Sequence, residues 1–217
     1  MSSDPESKSI SGSVVGVVIA GGRSVRFGGE KAVAVLAGRP LLKWAVQRLQ
    51  RTCSVVAVNA RPDTEAAALA QAEGLPVLHD APGDAAGPLA GVKAGLTWAL
   101  GLGAGAVAVS PCDVPLLPDE LFTRLINAAA GGAAFAETPD GRQPLCAVWP
   151  VSALAKITEA LAGGAHPPTW LMLESIGATP VHFQSSEGFA NINTRADLAV
   201  IAGRLEREDG WRAAHQR

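Results

Sequence analysis

The chain contains no tyrosine, only two methionines and three cysteines in 217 residues, and aromatic side chains make up just 5% of it. Each scarcity removes a class of protein. Cys53, Cys112 and Cys146 lie far apart and form no CxxC pair, so neither a disulfide framework nor a cysteine zinc site is on offer. They read as reduced, mostly buried thiols of a cytoplasmic protein. Eighteen basic against twenty acidic residues leave a net charge of −2. No basic excess exists to hold nucleic acid or a membrane surface by bulk electrostatics. No apolar run approaches the roughly 18–20 residues of a membrane span. The opening stretch MSSDPESKSISGS is polar, carries acids and lacks the apolar core of a signal peptide. Residues 1–12 are expected to form a disordered leader, residues 13–208 one folded domain, and residues 209–217 a frayed C-terminal tail.

What is plentiful is small and apolar. Apolar residues are 48% of the chain and glycines number 24, a balance that fits a folded globule with a tight core of short side chains. A chain of this length buries roughly 70% or more of its unfolded surface and needs no disulfide or metal staple. Valine-rich runs without polar alternation (Val14–Ala20, Val55–Asn59, Pro76–His79, Ala106–Ser110) read as strands buried on both faces. Between them PLLKWAVQRLQ, TEAAALAQAEG, GPLAGVKAGLTWALG and PDELFTRLINAAAGG have helical spacing. Strand and helix alternating in this way predict a parallel sheet with helices on both faces, a single doubly wound α/β domain. Less regular strands are expected at Gly132–Glu137, Leu145–Trp149 and Thr179–Phe183, with helices near Val151–Ala162, Thr169–Ile176 and Arg195–Glu208.

Ligands of such sheets bind beyond the carboxyl ends of the strands. That rule singles out the segment after the first strand, AGGRSVRFGGEK. No regular element is expected between Ala20 and Pro40, and a loop that long in a compact domain is usually functional. Its glycines permit close backbone approach to an anion. Arg23, Arg26 and Lys31 add donors suited to phosphate oxygens. Neither the GxxxxGK[ST] loop nor the GxGxxG fingerprint is present. In VAVSPCDVPLLPDEL, Asp113 falls just past the fourth strand, where one hard oxygen ligand beside phosphate donors suits Mg²⁺ shared with a triphosphate. Asp119 reads instead as part of a helix start, and Cys112 as a buried thiol.

At this point the residues resemble a family. AGGRSVRFGGEK is similar to the AGGxSxRMGxDK signature of nucleotidyltransferases. GRPLL, VNAR, HD, GPLAGVKAGL, SPCDVPLLP, DGRQPLCAVW and FANINTRADL follow in the order found in the molybdenum cofactor guanylyltransferases, the molybdopterin-guanine dinucleotide biosynthesis protein A family, from about Val14 to Leu198. The resemblance implies a Rossmann-like, mostly parallel domain of the nucleotide-diphospho-sugar transferase type. It also implies GMP transfer from GTP to molybdopterin with release of pyrophosphate, in the presence of Mg²⁺ (or Mn²⁺). Arg23, Lys31 and Asp113 would be catalytic, and Asp113 the metal ligand. Ile19, Ala20, Gly21, Gly22, Arg26, Lys31, Asn59, Asp80, Gly87, Pro88 and Leu89 would meet the nucleotide, with Asp80 accepting from the guanine edge. Arg142, Gln143, Pro144, Asn191 and Asn193 would face the pterin. Transient contact with cofactor delivery proteins or acceptor enzymes would follow. The chain departs from the family pattern at Glu30 (for aspartate), at Phe27 (for methionine), in VNAR (for VNAN) and at GGAHPP, which stands where a GxR is usual. Two other readings share the same residues: a cytidylyl or sugar-nucleotide transferase, and a nucleotide-binding regulatory module without turnover.

Overall fold

The computed structural model describes residues 13–22, 24–84 and 87–215. The expected leader, 1–12, therefore lies outside the described residues. In chain order the elements are β1 (Val14–Ile19), β2 (Val35–Leu36), β3 (Arg39–Pro40), α1 (Leu41–Gln50), β4 (Val56–Asn59), α2 (Glu65–Ala72), β5 (Val77–Leu78), α3 (Pro88–Gly101), β6 (Ala106–Pro111), α4 (Leu121–Ala129), β7 (Ala134–Thr138), β8 (Gly141–Pro150), α5 (Leu154–Leu161), α6 (Thr169–Ser175), β9 (Thr179–His182) and α7 (Arg195–His215). The last helix runs on to His215, past the boundary expected at Glu208. The segment expected to be irregular between Ala20 and Pro40 holds 3-10 turns at Val25–Phe27 and Lys31–Val33 and the small β2–β3 hairpin. These short elements carry no helical or strand period in sequence, because three-residue turns and two-residue strands are shorter than either repeat.

A seven-stranded sheet has the order β5-β4-β1-β6-β8-β7-β9. All neighbours are parallel except β8, which runs antiparallel to both β6 and β7. The reversal follows from the chain: only Pro139 and Asp140 separate β7 from β8, and a two-residue connection can only make a hairpin. One consequence reaches the site. Val109 of β6 pairs with Ala147 of β8 and β6 ends two residues later at Pro111, so Leu145 stands at the carboxyl end of β6 and Gly141–Pro144 overhang it.

Two cores sandwich the sheet. Leu42, Leu49, Ala66, Ala70, Phe122 and Leu125 bring α1, α2 and α4 onto one face. Leu89, Leu96, Ile157, Met172 and Leu173 bring α3, α5 and α6 onto the other, around a fully buried Trp149. Strands buried on both faces need continuous apolar runs, which is why Val15, Val17, Val18 and Val107 show no alternation. A third, smaller core of Phe27, Leu36, Leu41, Ile192 and Ile201 ties the glycine loop and the hairpin to α7. Phe27 is thus an apolar anchor, with the Arg195 guanidinium 5.3 Å from its ring centroid. Asp119, expected at a helix start, lies two residues before α4 and caps nothing there; it pairs instead with Arg48 of α1 and with Arg51 just past that helix.

Candidate functional site

The carboxyl ends of β5, β4, β1 and β6 open onto one cavity of ≈590 Å³. Walking across it in sheet order gives Asp80 after β5, Asn59 and Arg61 at the end of β4, Gly21 and Gly22 after β1, and Asp113 after β6. Leu145, from the overhanging start of β8, and Asn193, just before α7, close the far side. The strand-end rule therefore collects residues from Ile19 to Asp113 into one crevice, which the start of β8 and the segment before α7 complete.

Local backbone explains how the glycine loop reaches it. Ser24 (φ 47°) and Gly28 (φ 74°) both adopt left-handed backbone around the first 3-10 turn. Such a conformation is costly for serine and tends to persist where surrounding structure enforces it, at functional loops above all. The Ser24 hydroxyl accepts from the Lys31 backbone N–H at 3.3 Å, folding the loop back on itself. Glu30, the longer acid of this chain, reaches the first turn of α2, where its Oε2 accepts from Ala66 N–H at 2.8 Å. Thr64 Oγ1 accepts from Ala67 N–H beside it. A carboxylate at a helix N-terminus is favoured by the exposed N–H groups and the helix dipole. The extra methylene of Glu30 is therefore used, and Lys31 is fixed at its foot.

The centre of the site is a convergence of three segments. Lys31 Nζ donates to Asp113 Oδ2 at 2.6 Å and to Asn193 Oδ1 at 3.1 Å. The Ile192 N–H donates to the Asp113 backbone carbonyl at 2.8 Å, so the segment before α7 is stitched to the end of β6. Thr194 and Asp197 cap α7 between them: Asp197 Oδ2 accepts from the Asn193 and Thr194 N–H groups at 2.8 Å each, and Thr194 Oγ1 accepts from Asp197 N–H at 3.1 Å. Thr194, not an asparagine, supplies the hydroxyl cap, which leaves the Asn193 side chain to face Lys31. The donated bonds from Asn193 and then Thr194 hold the Asp197 carboxyl below its ordinary value.

Asn59 has a supporting place. Its side chain is almost fully buried, and its Nδ2 donates to Asp80 Oδ1 at 2.9 Å. It therefore aims Asp80, and only its edge lines the cavity. The stretch after β5 is tied down twice more: His79 Nδ1 lies 2.8 Å from the Ala60 carbonyl, and Lys93 Nζ of α3 donates to Asp84 Oδ1 and Oδ2 at 2.7 and 3.0 Å. Gly91, in the first half of α3, is required by close approach, since a Cβ there would run into Asn59 Oδ1 and Ile19 Cδ1. That is the packing reason for the second glycine of GPLAG.

Not every expected residue faces this cavity. Arg23 lies outside the described residues. Ile19, Ala20, Gly21, Gly22, Arg26, Lys31, Asn59, Asp80, Gly87, Pro88, Asp113 and Asn193 line it. Leu89 does not: its side chain is fully buried in the core under α3, because the first helical turn rotates it inward. Arg142 lines a separate small cavity, Gln143 Nε2 donates to Thr138 Oγ1 at 3.3 Å, and Asn191 is exposed. Arg61, Thr64, Ser24, Glu30 and Leu145 line the large cavity and were not singled out as site residues. For Arg61 and Thr64 the available signal was their position just after β4; for Leu145 there was none without the hairpin. Cys112 reaches the cavity wall, yet burial and then the neighbouring Asp113 push its thiol up to about 12. Burial likewise raises Cys53, to about 11, and Cys146. All three are free and buried, as the composition indicated.

Among the described residues no group of three or more histidine, cysteine, aspartate or glutamate side chains could cage a metal. A hard cation held mostly by ligand phosphates, with Asp113 and the Asn193 amide oxygen as its protein oxygens, fits the donor set that is there. A helix long and apolar enough to cross a membrane is also absent among the described residues.

A mostly parallel α/β sheet with a glycine-rich backbone loop, cations and the carboxylates Asp80 and Asp113 at its carboxyl ends has the layout of a nucleotidyltransferase. The profile of the MobA-like NTP transferase domain matches residues 16–174, and the chain belongs to that family. It is 36% identical over 194 residues to a molybdenum cofactor guanylyltransferase of Cereibacter sphaeroides, covering 89% of this chain and 97% of that protein. A protein of the same name from Rhodobacter capsulatus is 38% identical over 194 residues, covering 88% and 96%. Among solved structures, molybdopterin-guanine dinucleotide biosynthesis protein A from Archaeoglobus fulgidus superposes with a TM-score of 0.72 at 22% identity, over 88% of this chain and 98% of that one. A CMP:2-keto-3-deoxy-manno-octonic acid synthetase has the same fold, with a TM-score of 0.73 at 12% identity over 90% and 99%.

Proposed function

We propose that the protein transfers GMP from GTP to molybdopterin, forming molybdopterin guanine dinucleotide and releasing pyrophosphate. The observation that carries the chemistry is the meeting of Lys31, Asp113 and Asn193, from three separate segments, at the wall that also holds the Gly21–Gly22 backbone. The relatives named molybdenum cofactor guanylyltransferase support the choice of substrates.

The order of groups across the strand ends gives the nucleotide its direction. Neighbouring strands are about 4.8 Å apart, so Asp80 and Asp113, three strands apart, stand on the order of 14 Å from each other. A nucleoside triphosphate laid along that line places its base near Asp80 and its phosphates over Gly21, Gly22, Arg26 and Lys31. Asp80, aimed by Asn59, accepts from the N1–H and N2–H₂ edge of guanine, an edge that cytosine lacks. Guanidinium and ammonium groups suit phosphate oxygens, Arg26 in bidentate fashion and Lys31 as a point charge. Without ligand Lys31 neutralises Asp113; with ligand its flexible stem can turn to a phosphate oxygen.

Asp113 and Asn193 would hold Mg²⁺ or Mn²⁺, which supplies charge neutralisation at the α-phosphate and on departing pyrophosphate. The terminal phosphate of molybdopterin enters from the β8 and α7 side, attacks the α-phosphorus, and the bond to the bridging oxygen of pyrophosphate breaks. Orientation and charge neutralisation account for such a step, and no protein nucleophile is required.

The first test is thermal stability with GTP, CTP, UTP and ATP, each with Mg²⁺ and with EDTA, followed by pyrophosphate release with molybdopterin. A ligand at 100 times its dissociation constant adds about 2.7 kcal/mol. A Mg²⁺-dependent shift with GTP and turnover with molybdopterin are expected. Preference for CTP would move the protein to cytidylyl transfer, and GTP binding without pyrophosphate release would make it a nucleotide-binding module.

A further inference from the structure

Arg61 lines the large cavity, and the transfer chemistry leaves it without a task. It is also the residue at which VNAR departs from VNAN. Its backbone is fixed from both sides. Before it, the Ala60 N–H donates to the Leu78 carbonyl at 3.0 Å, which carries the β4–β5 pairing one residue past the strand. After it, Thr64 Oγ1, at the start of α2, donates to the Arg61 carbonyl at 2.8 Å, across a turn in which Asp63 takes left-handed backbone (φ 56°). Pro62 keeps Arg61 itself out of helical backbone. The alternation of β4 therefore runs on, and Arg61 falls on the same face of the sheet as Asn59.

Register then sets Arg61 beside Asp80. Asn59 pairs with Leu78 in parallel. Two residues further along each chain stand Arg61 and Asp80, one strand spacing, about 4.8 Å, apart. Opposite charges so placed ordinarily close on one another. Among the described residues these two do not pair: Asp80 Oδ1 accepts from Asn59 Nδ2 at 2.9 Å, and Arg61 is exposed. One end of the crevice thus presents an anchored carboxylate next to an open guanidinium, an acceptor pair beside a fork of donors.

We propose that Arg61 is a specificity-determining residue for the nucleotide, its guanidinium donating to O6 and N7 of guanine while Asp80 accepts from N1–H and N2–H₂. The proposal rests on the GTP reading given above. Among the four common bases guanine alone carries this pattern, two acceptors on one edge and two donors on the next. The short aspartate meets the nearer edge, and the longer arginine reaches round to the other with a fork that fits both acceptors. Adenine reverses the match on both sides, setting its N6–H₂ against the guanidinium and its N1 lone pair against the carboxylate. Cytosine has no second ring to extend to Arg61. Asp80 and Arg61 together therefore select against both purine and pyrimidine competitors, since a site built to hydrogen-bond rejects a base that leaves its groups unpaired.

The test is calorimetric titration of the full chain, in Mg²⁺, with GTP, 7-deaza-GTP (which lacks N7), ITP (which lacks the 2-amino group) and CTP. Wild type, Arg61→Ala and Arg61→Lys are compared. Wild type should bind GTP about fivefold more tightly than 7-deaza-GTP, the effect of one lost hydrogen bond. Arg61→Ala should bind GTP about tenfold more weakly than wild type, hold GTP and 7-deaza-GTP equally, and keep its discrimination against ITP, which belongs to Asp80. Arg61→Lys, a point charge without the fork, should fall between. Equal affinity of wild type for GTP and 7-deaza-GTP overturns the proposal without any variant, as does an undiminished ratio of the two in Arg61→Ala. A loss in Arg61→Ala that is the same for GTP and CTP also overturns it, because that is the mark of a phosphate contact. In each of these cases GTP binding that still discriminates against ITP leaves the nucleotide reading standing. Absence of GTP binding to wild type, or a preference for CTP, overturns the guanylyl reading and the role of Arg61 with it. Arg61 is exposed, so its replacement leaves the fold in place, which circular dichroism checks.

Discussion

The two halves of the crevice are built in different ways. On the side of β5, β4, β1 and β6, each functional residue follows directly from the end of a parallel strand. On the side of β8, the contributors are a reversed strand that overhangs its neighbour, a loop that crosses Gly87, and the residues before a helix cap. The first half has its positions dictated by the sheet, which is clamped between two cores. The second depends on a hairpin and on a register shift in β8 between the partners of Phe135 and Ala136. Groups that every nucleotidyl transfer needs can occupy the rigid half, while recognition of the acceptor can vary in the other without disturbing it. Substitutions in the first half, and at Asn193 where the two halves meet, should therefore impair all turnover, and those in β8 or the loop that crosses Gly87 only the use of one acceptor.

The sharpest way to break that comparison is at the shared wall. Lys31→Met and Asp113→Asn should each lower kcat/KM by about 10²–10³-fold, the usual cost of removing one preorganised charge from such a site. Steady-state pyrophosphate release measures it, and activity above a tenth of wild type in either variant would remove the pair from the chemistry. Next in size is Asp80→Asn, which keeps the bond to Asn59 and removes the acceptor charge. It should reduce the preference for GTP over CTP about tenfold. An unchanged preference would leave Asp80 as a prop of the β4–β5 connection.

How much of this was legible in sequence follows the same division. The strands β1, β4 and β6 showed as unbroken valine runs, and the strand-end rule then placed Gly21, Asp80 and Asp113 together without coordinates. The helical periods of α1 to α4 were equally plain. Three things were not legible. The reversal of β8 comes from the two residues between it and β7, and until strand pairing is known Arg142 and Leu145 have no address. Asn59 reads from sequence as a ligand contact and lines the cavity, but its bond to Asp80, made beneath the close approach of α3 at Gly91, has no local signature. The Glu30 bond to Ala66 crosses 36 residues and has no local signature.

Two intermediate effects sharpen the picture of the rigid half. Lys93 and Asp84 form a bidentate pair whose side chains are only 18% and 10% exposed. Lys93→Met leaves the carboxylate unpaired and loosens the stretch that carries Asp80 and Gly87. The expected cost is about 1–2 kcal/mol, between exposed and fully buried pairs. The KM for GTP should rise several-fold with kcat nearly unchanged, and Lys93→Arg should restore most of it. A rise in kcat/KM defects with a normal KM would point to a different role. Glu30→Asp is smaller: the shortened acid no longer reaches Ala66 N–H, and loss of one capping bond costs about 1 kcal/mol. In a protein of this size that corresponds to roughly 2–4 °C in Tm, and calorimetry showing no change would detach Glu30 from α2.

The smallest expected effect lies in the other half, at the cap of α7, and it is distinguished by its pH dependence. Asp197 accepts from the Asn193 and Thr194 N–H groups, bonds that favour the ionised carboxylate and hold its pKa below the ordinary 3.8. The unfolded chain binds the proton first as pH falls. The stabilisation is therefore complete well above 3.8 and is lost as pH drops through the lower, folded value. Chemical denaturation of wild type and Asp197→Asn should show a constant gap at pH values well above 3.8 that shrinks only as pH falls below 3.8 and through the lower, folded value. A gap that persists undiminished in acid would mean that the side chain acts by shape and not by charge. The same bonds hold the backbone from which Asn193 faces Lys31, so Asp197→Asn should also weaken turnover slightly, through the acceptor-side half of a wall whose other members stay in place.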